Sequence, residues 1–196
     1  LKNMKIIAIK LDNNFELADL PGRGHNSREL VFDDEGNLYI QTGSLLNVDK
    51  TPDRAKVRIL RKQDLENKLF SNTPSEPLDY TKMEDWAVGL RNMVGMSRGP
   101  NNEIWGVNMG ADQLTAPPNV VDESLPLEEG KFFSDNHPAD TVYKIPLSNK
   151  NKEYGYPYAW ISGTPLIDNG VARKENTIFE WPYDENPYTR EELRDS

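Results

Sequence analysis
An apolar triplet, a polar turn and a second apolar triplet occur twice in this chain, and that repetition limits the fold more than any other feature. The first copy reads Leu30-Val31-Phe32, then Asp33-Asp34-Glu35-Gly36-Asn37, then Leu38-Tyr39-Ile40. The second reads Val94-Gly95-Met96-Ser97, then Arg98-Gly99-Pro100-Asn101-Asn102, then Glu103-Ile104-Trp105-Gly106-Val107. Each is a hairpin signal. Gly in an Asp-rich turn supplies the positive φ that a tight reversal needs, and the flanking β-branched and aromatic residues suit half-buried strands.

Two such units in tandem, each followed by further strand-like sequence, predict an all-β chain of repeated multi-stranded sheets, as in the blades of a propeller. Lys5 to Leu11, which alternates Ile and Ala with Lys, adds an earlier strand. Helical signal is sparse: Gln63 to Phe70 reads as one or two turns, closed by Pro74 and Pro77. The 14 prolines and 13 glycines are scattered, which punctuates many short strands and argues against long helices. Thr115 to Ala139 is the longest irregular piece, proline-rich and acidic, and a loop of that length in a compact domain is more often functional or interface-forming than idle. Residues 184–196 form a charged tail, expected to be solvated. We read 1–196 as one partial β-propeller domain, and the start at Leu1, with no initiator Met and no signal-peptide core, as trimmed or internal.

Charge and composition exclude several functions. Acidic residues number 32 against 23 basic, a net charge of -9 with no basic stripe, so binding to a phosphate backbone is not expected. With no cysteine there is neither a disulfide nor a thiolate metal site. No apolar run approaches the roughly 18 residues of a membrane span. Gly-x-Gly-x-x-Gly, a phosphate loop and Gly-x-Ser-x-Gly are all missing, so a nucleotide enzyme or an elbow-type hydrolase has no support.

A few residues remain that suit chemistry. His25 follows Gly22-Arg23-Gly24, a bend that presents its ring at the start of a strand, where an imidazole can take a proton from a substrate hydroxyl. A loop histidine held by hydrogen bonds would look the same. Arg91-Asn92 stands in the comparable place of the second unit, between Gly89 and Gly95. The arginine offers a planar fork of donors to an anion and the amide both donates and accepts, although an arginine paired with a nearby carboxylate also fits. In Asn108-Met109-Gly110-Ala111-Asp112-Gln113, small residues leave carbonyl oxygens exposed, as a hard cation such as calcium prefers. Tyr154 to Trp160 carries four aromatics that either fill core or stack on a flat ligand. His137, in the acidic loop, reads as structural or solvated.

In chain order, Gly24-His25-Asn26-Ser27-Arg28-Glu29-Leu30, Thr42-Gly43-Ser44, Val57-Arg58-Ile59, Gly89-Leu90-Arg91-Asn92, Asp112-Gln113-Leu114, Asp135 to Asp140 and Tyr154 to Tyr158 resemble the glucose/sorbosone dehydrogenase family. Within it they are most similar to the fungal-type pyranose dehydrogenases that use pyrroloquinoline quinone (PQQ). The resemblance implies a six-bladed β-propeller, of which this chain would supply about three blades. It implies PQQ and calcium as cofactors, with His25 as the base for the sugar hydroxyl, Arg91 and Asn92 as quinone contacts, and the backbone carbonyls of Gly110 and Ala111 as calcium ligands. The implied partners are a sugar substrate, an external electron acceptor and the remaining blades, from the same or another chain; the implied location is outside the cell. One departure is Asp140-Thr141-Val142-Tyr143, which stands where the family shows Glu-Glu-Leu-Asn. The alternative is a propeller without catalysis, serving a larger assembly as a structural or carbohydrate-binding part.

Overall fold
A computed structural model describes residues 7–10, 25, 28–46, 51, 53–71, 76–110, 140–148, 150, 152–157, 159–161, 167–168, 171–172 and 178–180. Short strands dominate it: β1 (Ile9–Lys10), β2 (Leu30–Phe32), β3 (Leu38–Thr42), β4 (Lys56–Leu60), β5 (Leu78–Asp79), β6 (Glu84–Val88), β7 (Met93–Arg98), β8 (Ile104–Asn108), β9 (Thr141–Ile145) and β10 (Lys152–Glu153). Further on, β11 (Ala159–Ile161), β12 (Ile167–Asp168), β13 (Val171–Ala172) and β14 (Ile178–Glu180) form two small antiparallel pairs, β11 with β14 and β12 with β13. The one α-helix among the described residues is α1 (Lys62–Leu69), eight residues with no buried side chain. The chain is all-β. The acidic loop at 115–139, with His137, and the tail at 184–196 lie outside the described residues.

Both expected hairpins form. In the first, β2 and β3 pair antiparallel, with Leu30 opposite Ile40 and Phe32 opposite Leu38. Gly36 takes a positive φ of 87° there, and the Asp33 carboxylate accepts from the Asn37 backbone N–H (2.8 Å), the Asn37 side-chain amide (2.8 Å) and the Tyr39 hydroxyl (3.1 Å). In the second, β7 pairs with β8, but the left-handed residue is Asn102 (φ 57°) and not Gly99. Gly99 serves another purpose: a Cβ there would lie 2.4 Å from the Trp105 ring. The two turns are joined, since Asn102 Oδ1 accepts from the Asp34 N–H (2.9 Å) and Arg98 pairs with Asp34.

Five strands make the first sheet in the order β10-β6-β4-β3-β2, and three make the second, β7-β8-β9. Between them lies the main core, Tyr39, Val57, Ile59, Trp86, Ala87, Leu90, Met93, Ile104 and Ile145. Each fully buried aliphatic there contributes about 1.5–3 kcal/mol. The Met93 side chain enters the space that Gly106 leaves, where a Cβ would sit 1.6 Å from its terminal methyl. A second cluster covers the other face of the first sheet, with Leu38, Ile40, Leu60 and Tyr80 against Ile9, Leu65, Leu78 and Met83. Covered on both sides, β3 is buried at every position. By contrast β8 alternates, with Ile104, Gly106 and Asn108 buried and Trp105 and Val107 exposed.

Two features hold the end of the sheets where the candidate site stands. Arg58, 3% exposed, pairs with Asp53 and Asp85 (2.5 Å each), donates to the Tyr80 carbonyl (2.9 Å) and stacks on the Tyr80 ring, while Lys56 joins Asp85 at 2.9 Å. A buried guanidinium is tolerated when so fully paired. Then β10 runs parallel to β6, and the chain following it bonds back to the first sheet through Tyr154 N–H to Val88 O (2.9 Å) and Tyr156 N–H to Gly89 O (3.1 Å). Gly89 (φ 76°) permits this approach, because a Cβ would meet the Gly155 nitrogen at 2.8 Å. Of the expected aromatic run, Tyr156 is buried and Tyr154 packs on the core and on Tyr143.

Candidate functional site
The segments entering β2 and β7 and the turns leaving β3 and β8 meet at one end of the two sheets. Backbone hydrogen bonds join them in a row: His25 N–H to Ser44 O (3.3 Å), Ser44 N–H to Arg91 O (2.7 Å) and Met109 N–H to Asn92 O (2.9 Å). The row continues as the Gly110 N–H donates to Asp140 Oδ1 at 2.9 Å. Residues far apart in sequence are thereby brought together: His25, Arg91, Asn92 and Gly110 share this end of the fold. Ala111 lies outside the described residues.

Gly43 sets the spacing. A Cβ built on it would fall 2.6 Å from the His25 Cβ and 2.6 Å from Asn92 Oδ1, so the imidazole and the carboxamide converge on one stretch of bare backbone. The half-buried His25 has Nδ1 at 3.0 Å from the Ser44 carbonyl and 2.9 Å from Ser44 Oγ, which itself donates to the Leu46 carbonyl at 2.7 Å. A carbonyl only accepts. Nδ1 therefore carries the proton, and the basic lone pair of the ring is on Nε2.

Arg91 is 1% exposed, and its Nη1 donates to Gly110 O at 2.5 Å, with Met109 O further off at 3.5 Å. Asn92, 4% exposed, is fixed through its backbone N–H to Asn108 Oδ1 (3.0 Å), and its side-chain nitrogen lies 3.6 Å from the Met109 sulfur. A second buried guanidinium, Arg54, donates to Gly43 O at 3.3 Å from a turn in which Asp53 (φ 65°) and Ala55 (φ 53°) are both left-handed. Left-handed non-glycine residues carry strain, and two of them flanking one side chain mark a turn whose shape serves that side chain's placement. Behind the site Tyr80, 0% exposed, meets the Thr42 hydroxyl at 2.9 Å, and burial pushes its phenol well above the ordinary range.

Ser44, Arg54 and Asp140 carry no predicted role, although Ser44 contacts His25, Asp140 accepts from Gly110, and Arg54 donates to the Gly43 carbonyl beside them. Thr42-Gly43-Ser44 leaves β3 as Asn108-Met109-Gly110 leaves β8, a parallel by which the sequence could have marked Ser44. Nothing local marks Arg54, because its burial depends on strands that pair over long range. The assembled row offers a proton acceptor, two buried cations and a carboxamide within one layer, a set suited to binding an oxygen-rich anion and taking a proton beside it.

A protein-family profile described as TrAA12-like matches residues 9–166. The chain is also similar to solved structures. Two are of the Trichoderma reesei Carbohydrate-Active Enzymes Family AA12: an iodide structure (22% identity, TM-score 0.52, covering 76% of this chain and 34% of that one) and a calcium structure (20%, 0.55, 79% and 36%). A third is the holo form of the pyranose dehydrogenase PQQ domain from Coprinopsis cinerea (18%, 0.59, 80% and 37%). At these identities the likeness is one of fold, and the chain spans about a third of the length of each structure it matches. No curated protein matches it.

Proposed function
The chain belongs to the TrAA12-like family, and from that premise we propose that it forms part of a PQQ-dependent dehydrogenase that oxidises a hydroxyl of a pyranose sugar. The observation that carries the reading is His25, with Nδ1–H committed to Ser44 and its Cβ set against Asn92 across Gly43. In this reading the two sheets are neighbouring blades of a β-propeller, six-bladed in the family, of which residues 1–196 supply about three. We also infer an extracellular location, a sugar substrate and an external electron acceptor. No helix among the described residues is long and apolar enough to cross a membrane.

PQQ is a planar anion with several carboxylates and quinone oxygens, and the donors present fit it. Arg91 and Arg54, both buried, concentrate positive charge at the end of the sheets where the imidazole stands, and Asn92 supplies an amide there. Arg91 and Asn92 would hold and orient the quinone, with Arg54 bracing the Gly43 carbonyl between them and His25. For calcium the Gly110 carbonyl is a donor of the right kind, and it now accepts from Arg91 Nη1. A cation and a guanidinium exclude each other on that oxygen by charge. Calcium there calls for the Arg91 fork to be taken up by an anion, which a quinone carboxylate supplies.

When bound, the quinone would accept the hydride released from the sugar carbon while calcium polarises it as a Lewis acid. The protein's part is the proton: Nε2 of His25 takes it from the substrate hydroxyl, and the Ser44 carbonyl keeps the ring in the tautomer that can do so. Burial of the donors around the site excludes water and strengthens their hold on a charged ligand. The test is dye reduction over a panel of aldoses by the intact protein loaded with PQQ and calcium, beside His25→Ala. The variant is expected to lose about 10²–10⁴-fold in kcat, the usual worth of a general base. A correctly folded intact protein that binds sugar but no PQQ would overturn the enzyme reading and leave a carbohydrate-binding propeller.

A further inference from the structure
We propose that Arg28 is a positioning residue for His25, its guanidinium fixing the backbone from which the imidazole projects. Arg28 Nη1 donates to the His25 carbonyl at 2.5 Å, three residues back along the chain. A hydrogen bond from a guanidinium is charge-assisted, roughly twice as strong as one between neutral groups. The His25 N–H, by contrast, meets the Ser44 carbonyl at 3.3 Å, beyond the usual range and correspondingly weak. Of these two backbone bonds, the one from Arg28 restrains the His25 peptide more.

The position of Arg28 ties it to the end of β3 as well. Its charge reaches the buried Tyr80 hydroxyl, which meets the Thr42 hydroxyl at 2.9 Å: burial raises that phenol, while the Thr42 hydroxyl and the charges of Arg58 and Arg28 pull it down. The half-buried Arg28 is thus within reach of both the segment that carries His25 and the strand end that carries Gly43. Those two must be held in close contact, because a Cβ built on Gly43 would fall 2.6 Å from the His25 Cβ. Ser44 also holds His25, but at the ring, through Nδ1. The two restraints act on different freedoms of one residue: Ser44 sets how the ring is turned and Arg28 sets where its Cα and Cβ stand. A catalytic group misplaced by about 1 Å loses up to about 10²-fold in rate. The inference deepens the dehydrogenase reading and rests on it for the effect on turnover, though not for the effect on the ring.

The test uses the intact protein loaded with PQQ and calcium, in two variants. Arg28→Met keeps most of the stem and removes the donors; Arg28→Lys keeps one charged donor. In Arg28→Met, kcat for dye reduction is expected to fall about 10–10²-fold, with the sugar KM and PQQ affinity level, and Arg28→Lys is expected to recover most of the loss. Nitrogen-15 NMR of the His25 ring gives a readout independent of turnover. Wild type is expected to carry the proton on Nδ1, and Arg28→Met to show both tautomers, as the ring comes away from the Ser44 carbonyl. An unchanged kcat or tautomer in folded Arg28→Met would overturn the proposal, as would Arg28→Lys impaired as much as Arg28→Met. An Arg28→Met protein that does not fold, or that loses kcat, sugar binding and PQQ affinity together, would make Arg28 a structural residue and overturn it too. Wild-type protein that reduces no dye, yet whose ring tautomer responds to Arg28→Met as expected, would sink the quinone reading and leave the positioning role standing.

Discussion
Gly43 bears the tightest constraint of any single residue at the site. Replacing it with Ala puts a methyl 2.6 Å from both the His25 Cβ and Asn92 Oδ1, and neither can yield freely: the His25 ring is held by Ser44, and the Asn92 carboxamide by the Met109 sulfur. Gly43→Ala should destabilise the protein by about 1–3 kcal/mol in urea unfolding, the usual range for overpacking, and should lower PQQ affinity at the same time. Activity unchanged by the substitution would mean that His25 and Asn92 do not converge there. At this scale the sequence was legible in part. The Gly-x-Gly bend before His25 and the Arg-Asn pair between glycines pointed to residues that the fold brings to one end of the sheets, since both carry side chains that packing alone does not explain. Gly43 and Ser44 stood out only as part of a resemblance, because a glycine's close approach depends on what the fold sets against it.

Among the elements, β4 and β6 are locked together by charge. Burial alone would raise the Asp85 carboxyl, but hydrogen bonds from Lys56 and Arg58 outweigh it and hold the group below its ordinary range. A carboxylate whose pKa is depressed by folding stabilises the native state at any pH above its unfolded value, and that contribution fades as pH falls through the folded value. Asp85→Asn, which leaves the buried Arg58 short of one partner, should cost about 3 kcal/mol at pH 7. The gap between wild type and variant should close below the carboxylate range; urea unfolding at neutral and acid pH reads both. A gap that stays constant with pH would show that the Asp85 charge is not what holds the strands. The hairpins β2–β3 and β7–β8 were readable from alternation and turn chemistry, and α1 is a little longer than the one or two turns expected. The parallel pairing of β10 with β6 was not readable, because no local pattern distinguishes a two-residue strand that returns to an earlier sheet.

At the scale of the whole molecule, two apolar faces lie open at opposite sides of the paired sheets. Leu30 and Phe32 are 57% and 55% exposed on one, and Trp105, Val107 and Val142 are 39%, 41% and 66% exposed on the other. Strand pairing puts Val107 opposite Val142, so the second face is continuous. In the propeller arrangement proposed above, both faces would meet neighbouring blades. Val142→Lys in the intact protein should therefore destabilise by about 2 kcal/mol or more, as burial of an unpaired charge does. A change within about 0.5 kcal/mol, the ordinary result at a solvated surface, would mean that nothing packs there. The sequence by itself determined that the chain is mostly β, where its two hairpins reverse, and which imidazole, guanidinium and amide are candidates for a site, because strand period, turn preference and side-chain chemistry are properties of short segments. The tertiary structure alone decided that His25, Gly43, Arg91 and Gly110 form one row, that Arg54 is buried near it, and which faces stay open. Those facts depend on register between strands far apart in the chain, which local sequence does not encode.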